Sequence, residues 1–145
     1  MIRKMLQTDK EQVFRMMRVF YDSPAVKTKS SDEVLRRDID AAVGDCPFLD
    51  GFVIEEEGEV VGYGMVSRGY STEYGGECVL VEDLYLKPHA RRKGHSSEFF
   101  HAIESFYPQA VRFRLEVEEE NLSAVAAYEK MGYHASDYLN MSKER

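Results

Sequence analysis

From Cys78 to Leu86 the chain reads Cys-Val-Leu-Val-Glu-Asp-Leu-Tyr-Leu, apolar on nearly every position except for two adjacent acids. A strand apolar on both faces belongs in the middle of a sheet that is covered on both sides. The rest of the chain must therefore supply helices for two faces. Pro88 stops the strand, and a short basic loop follows, Arg91-Arg92-Lys93-Gly94. Phe99, Phe100, Ile103, Phe106 and Tyr107 then recur at helical spacing until Pro108.

Upstream, Thr8-Asp9-Lys10-Glu11 reads as a capping box ahead of a helix carrying Val13, Met16, Met17, Phe20 and Tyr21. Ser30 with Glu33 reads as a second one, ahead of Leu35, Ile39, Ala42 and Val43. Phe52-Val53-Ile54 and Val60 to Val66, separated by acids and Gly58, predict a hairpin. Val111, Phe113, Leu115 and Val117 alternate with charged residues as a strand with one buried face. Asn121 is a natural N-cap for a helix carrying Leu122, Val125, Ala126 and Tyr128, with Gly132 at its C′ position. A last short strand is expected at Tyr138-Leu139-Asn140-Met141. The element order is β-α-α-β-β-β-α-β-α-β, one domain over residues 1–145.

Composition narrows the function. Nineteen Lys and Arg against 26 Asp and Glu leave a net charge of −7. That argues against a general nucleic-acid binder, whose affinity comes from neutralising phosphates. It suits a cationic small molecule. No apolar run approaches a membrane span, and the N-terminus lacks the apolar core of a secretory signal. A cytoplasmic protein is expected, with Cys46 and Cys78 reduced and buried. These cysteines and the scattered His89, His95, His101 and His134 match no metal-ligand spacing, so no metal is expected.

A strand–loop–helix transition turns several unpaired backbone amides and the positive end of a helix dipole toward one point, a geometry that holds phosphate. Leu84 to Ser97 has that form. Taken alone, it reads equally well as a solvated basic turn before an ordinary helix.

Arg91-Arg92-Lys93-Gly94-His95-Ser96 resembles the (Gln/Arg)-x-x-Gly-x-(Gly/Ala) acyl-CoA loop of the GNAT family of N-acetyltransferases. Ser96 departs from the usual glycine or alanine, but it is small enough for close approach. Asn121-Leu122-Ser123-Ala124-Val125-Ala126-Ala127-Tyr128-Glu129-Lys130-Met131-Gly132-Tyr133 is similar to the family's later Asn…Tyr-x-x-x-Gly-(Phe/Tyr) segment. Glu82-Asp83-Leu84-Tyr85 is similar to a stretch in its diamine and polyamine acetyltransferases. The resemblance implies an α+β fold, a mixed, mainly antiparallel sheet flanked by helices on both faces. It implies acetyl-CoA as co-substrate, with its diphosphate on the amides of Arg91, Arg92, Lys93, Gly94, His95, Ser96 and Ser97. Its pantetheine arm would pair with the strand at Leu84, Tyr85 and Leu86, an amide near Leu86 would polarise the thioester, and Asn121 would hold the far side of the arm. A homodimer is expected only by analogy with relatives that dimerise.

Aminolysis of a thioester needs a free amine, whereas an alkylammonium with a pKa of ~10.4 is almost wholly protonated at neutral pH. Some group must take that proton. Glu82 and Asp83 are the candidates, because an acid pair in a buried strand is costly to keep without a purpose or a partner. Alternation along a strand lets only one of them face the reaction centre, and Glu82 is the expected base. The competing reading makes both acids structural partners of Arg112 or Arg114. Tyr128 is expected to protonate the departing thiolate. His95 is expected to face solvent, and Phe20, Tyr21, Tyr70 and Tyr74 are candidates for lining the acceptor pocket. The expected activity is direct acetyl transfer to a primary amine of a small molecule, a diamine or polyamine foremost. The alternatives are a non-catalytic acyl-CoA-binding sensor and a nucleotide-binding domain. The latter is disfavoured because the loop lacks the Lys-Ser/Thr of a P-loop.

Overall fold

A computed structural model describes all 145 residues. Backbone contacts group them into two units, Met1–Leu115 and Glu116–Arg145. The first unit carries a five-stranded sheet in the order β1 (Ile2–Lys4), β2 (Leu49–Glu56), β3 (Glu59–Ser71), β4 (Gly76–Leu86), β5 (Arg112–Leu115). Successive pairs are antiparallel except β4 and β5, which are parallel. The mixed, mainly antiparallel sheet expected from the sequence is the one observed.

Helices α1 (Lys10–Tyr21) and α2 (Asp32–Val43) cover one face. Val13, Met16 and Met17 of α1 and Leu35 and Ile39 of α2 are buried against Val53, Tyr63, Met65 and Tyr85 of the sheet. Helix α3 (His95–Phe106) covers the other face, where Phe99 meets Phe52 edge-on at 6.2 Å. Gly64 makes that approach feasible. A Cβ there would stand 2.3 Å from the Phe99 ring.

The helix starts differ from expectation by small shifts. Asp9, the N-cap of α1, caps no backbone amide of that helix; its carboxylate accepts from Leu6 N at 2.7 Å, from Arg3 Nη1 at 2.8 Å and from Gln12 Nε2 at 3.2 Å, at the end of a short 3-10 turn over Gln7–Asp9. Thr8 lies inside that turn and is not the cap of α1. Ser31 rather than Ser30 caps α2, its Oγ accepting from Val34 N at 3.3 Å. Both cysteines are free, as expected, but half-exposed rather than buried.

The second unit contains α4 (Leu122–Lys130) with Asn121 as N-cap, as the sequence predicts. Tyr133 N returns to Tyr128 O at 3.1 Å, and Gly132 N to Glu129 O at 3.0 Å, closing the helix at Gly132. No strand forms at 138–141, and Tyr138, Leu139 and Met141 are exposed. The expected order thus loses its last strand. Four apolar-leaning residues make a strand only where a partner edge accepts them.

Candidate functional site

Register decides where the two acids of β4 point. Met65 lies opposite Asp83, but Val66 lies opposite Val81, so Glu82 is an extra residue, a bulge in the strand. Cross-strand partners share a face. Met65 belongs to the cluster beneath α1 and α2, so Asp83 points there too. Ser67, two residues from Met65 on the same strand, donates to Glu82 Oε1 at 2.8 Å. The bulge breaks the alternation expected from the sequence, and both acids reach the α1–α2 side.

Their surroundings differ. Glu82 is exposed. Asp83 is buried and accepts from Tyr21 Oη at 3.0 Å and from Tyr63 Oη at 3.1 Å. Neither acid meets Arg112 or Arg114, which removes the structural ion pair that competed with a functional reading. Burial pushes the Asp83 carboxyl up to about 6, against the two phenol hydrogen bonds that pull it down, with the charges of Glu82 and Asp38 adding to the rise. Asp38, half-buried on α2, is likewise pushed up by burial and by Glu82, against the pull of Arg37. The result is an anionic face without a cation bound to Asp83. Phe20 and Tyr21 sit beside it, Phe20 touching Tyr21, Tyr63 and Tyr85 at 5.5, 6.3 and 6.2 Å between centroids. Tyr70 and Tyr74, the other two candidates for a pocket wall, lie exposed near the far end of the β3–β4 hairpin, away from the bulge.

The bulge also frees an edge. Strand β5 pairs with β4 only over Cys78–Val81 and ends where the bulge begins. Beyond it, Leu84, Tyr85 and Leu86 keep β3 on one side and have no strand on the other. Lys87 N donates to Val61 O at 2.8 Å on the β3 side. With the two-residue period of a strand, the amides of Leu84 and Leu86 point to the open edge. Arg91 Nε donates to the Leu86 carbonyl at 2.9 Å, and its guanidinium lies over the Tyr85 ring.

The loop from Arg91 to Gly94 turns through two left-handed residues, Arg92 at φ 61 and Gly94 at φ 89. Gly94 is the N-cap of α3, and no side chain caps this helix, unlike α2 and α4. The first helical bond is Glu98 N to Gly94 O at 3.0 Å. The amides of His95, Ser96 and Ser97 are thus left to an acceptor from outside the chain. Lys93 is held by Glu56 at 3.0 Å, and Arg92 is exposed without an ion pair. His95 does not face solvent as expected. Its ring is tucked between Glu56 Oε1, 3.4 Å from Nε2, and Glu98 Oε2, 3.3 Å from Nδ1.

Asn121 and Tyr128 lie in the second unit. Asn121 Oδ1 accepts from Ala124 N at 3.4 Å. Tyr128 is half-buried, stacks edge-on with Tyr133 at 6.2 Å, and its phenol is pushed up by burial. Two features of the acid face escaped the sequence reading, Asp38 and Tyr63. A tyrosine inside an apolar strand was the available signal for Tyr63, since a buried hydroxyl needs a partner. No grouping of three His, Cys, Asp or Glu is placed to hold a metal, and no helix is long and apolar enough to cross a membrane.

The sequence model of the Acetyltransferase (GNAT) family matches residues 11–133. The thialysine N-epsilon-acetyltransferases of Sus scrofa and Bos taurus are each 31% identical over 144 residues, spanning 91% of this chain and 82% of theirs. Among solved structures, a possible acetyltransferase from Clostridium difficile 630 superposes with a TM-score of 0.86 at 23% identity, covering 100% of this chain and 97% of its own. The aminoglycoside N-acetyltransferase AAC(6')-Iy, solved in complex with CoA, superposes with a TM-score of 0.80 at 16% identity, covering 100% and 94%. The family match runs through both the open edge of β4 and the uncapped start of α3. The chain belongs to the GNAT family and is an N-acetyltransferase.

Proposed function

We propose that residues 1–145 act as one N-acetyltransferase domain that transfers the acetyl group of acetyl-CoA directly to a primary amine of a small cationic molecule, a diamine or polyamine. The observation that carries this reading is the anionic face at the bulge, where Glu82, Asp83 and Asp38 gather beside the open edge of β4. Uncompensated carboxylates attract an ammonium. The relatives' action on the Nε of thialysine, a primary amine, supports the same acceptor chemistry.

In this reading the diphosphate lies on the amides from Arg91 to Ser97, and Asn121 holds the far side of the pantetheine arm. The amides of Leu84 and Leu86 on the open edge pair with that arm, and the one at Leu86 stabilises the oxyanion that forms on the thioester carbonyl. Glu82, exposed and steadied by Ser67, takes a proton from the acceptor's ammonium, directly or through water. The amine nitrogen then attacks the carbonyl carbon, the C–S bond breaks as Tyr128 gives its proton to the leaving thiolate, and the surplus proton left on the new amide nitrogen returns through water to the Tyr128 phenolate. A phenol with an ordinary pKa of ~10 is protonated at neutral pH, as an acid must be, and burial pushes this one further up. Half-exposed free thiols at Cys46 and Cys78 suit a reducing compartment, hence the cytoplasm.

The test is a turnover screen of acetyl-CoA against mono-, di- and polyamines, amino acids and aminoglycosides, counting released thiol. Diamines or polyamines should give the highest kcat/KM. Acetyl-CoA binding without thiol release for any amine would show a sensor instead.

A further inference from the structure

We propose that Tyr21 receives the acceptor's amine through its hydroxyl oxygen, and that Asp83, gripped on its other side by Tyr63, is the positioning residue that sets the direction of that hydrogen bond. The inference rests on the reading of the chain as an amine acetyltransferase and names a residue of the acceptor site.

The argument is one of donor and acceptor counting. An ionised carboxylate only accepts, and a phenol has a single proton to give. Tyr21 Oη meets Asp83 Oδ1 at 3.0 Å, and Tyr63 Oη meets Asp83 Oδ2 at 3.1 Å. Each phenol therefore spends its proton on Asp83. Tyr63 is fully buried and lies out of reach of a ligand. Tyr21 is half-exposed, the last residue of α1, and its ring is braced edge-on by Phe20. Toward solvent its oxygen offers lone pairs alone. It accepts from an N–H and repels carboxylates and other acceptors, which selects an amine.

No cation spoils that polarity. The titratable groups that face Asp83 are Tyr21 from α1, Asp38 from α2, Tyr63 from β3 and Glu82 from its own strand, while Tyr85 lies against Tyr63. All are acids or phenols. The charge buried at Asp83 is thus satisfied by neutral donors only, and its outlet toward solvent is the Tyr21 hydroxyl. An ammonium docked there supplies the missing positive charge one hydrogen bond away. Below the Asp83 pKa of about 6 the carboxyl carries its own proton and must donate it. One phenol then turns round, and the fixed polarity is lost.

The experiment measures KM for the best acceptor of the amine screen, and separately KM for acetyl-CoA, from pH 5 to 8. The wild type should show the amine KM rising below pH 6 while the acetyl-CoA KM stays flat. Tyr21→Phe should raise the amine KM by about tenfold to a hundredfold, the range of a hydrogen bond to a charged group. Asp83→Asn keeps the shape but can donate to a phenol, so it should raise the amine KM similarly and abolish the inflection near pH 6. The double variant should be no worse than either single one, since both remove the same interaction. Circular dichroism establishes that each variant is folded. If Asp83→Asn does not fold, the half-exposed Tyr21→Phe decides the matter. An unchanged amine KM in folded Tyr21→Phe overturns the proposal. If no amine turns over, calorimetric binding of 1,4-diaminobutane to the CoA-saturated protein replaces KM. Binding weakened by Tyr21→Phe then sustains this inference while the transfer reading fails. Binding that is absent or indifferent to Tyr21 refutes it.

Discussion

At the scale of single residues, the two acids of β4 divide their labour by environment. Glu82 is exposed and reachable, whereas Asp83 is buried among phenols. As the proposed base, Glu82 should lose at least about a hundredfold in kcat when changed to Gln, the lower end of what a positioned acid or base contributes. A thiol-release assay reads this, and full activity in Glu82→Gln across neutral pH would remove Glu82 from the role. Tyr128→Phe should cost less, about tenfold, because a thiol with a pKa of ~8.5 leaves with little help. Asp83 has a stability consequence of its own. Its pKa rises from 3.8 to about 6 in the folded chain, so the folded state binds this proton more tightly than the unfolded one. Stability is therefore lost as pH climbs from about 4 to 6, by about 3 kcal/mol, and the loss persists above 6. Asparagine does not titrate. Chemical denaturation should show the stability of Asp83→Asn gaining on the wild type by that order between pH 4 and pH 7, and a gap constant with pH would contradict it. The sequence made both acids visible as an oddity in an apolar strand. It hid their partners, because Tyr21 and Tyr63 lie 62 and 20 residues away and meet Asp83 only after the sheet and α1 have packed.

At the scale of elements, local chemistry was legible and register was not. Prolines 24, 47, 88 and 108 and the cap at Asn121 announce their boundaries through φ, missing donors and side-chain acceptors, all properties of a few adjacent residues. Thr8 misled because a 3-10 turn over Gln7–Asp9 moves the helix start to Asp9, whose carboxylate reaches back to Leu6 N, while Glu11 is taken by Arg36 across from α2. The bulge at Glu82 was invisible because it exists only relative to β3. Its consequence is large. It brings both acids to one side and ends the pairing with β5, leaving Leu84 and Leu86 an open edge. The loop before α3 was legible through its glycine, and Gly94 at φ 89 is where a side chain is strained. Gly94→Ala should raise the KM for acetyl-CoA several-fold with a smaller effect on kcat, because it disturbs the amides of the helix start and not the acids. Steady-state kinetics with acetyl-CoA varied checks this, and a change confined to kcat would detach the loop from cofactor binding.

At the scale of the whole molecule, a net charge of −7 coexists with a basic run at Arg91 to Lys93, so the proposed anionic donor and cationic acceptor would each meet a surface of opposite charge. Fold similarity persists where identity falls to 16%, because the layered sheet and its two helical faces tolerate most substitutions that keep the pattern. The central claim is that main-chain donors at the start of α3 and along the open edge of β4 grip one extended cofactor and deliver its thioester beside Glu82. A crystal structure with coenzyme A bound tests it most directly. The account predicts the diphosphate on the amides between Arg91 and Ser97, and the sulfur at the bulge near Leu86. A diphosphate bound elsewhere, or a thiol remote from β4, would contradict it.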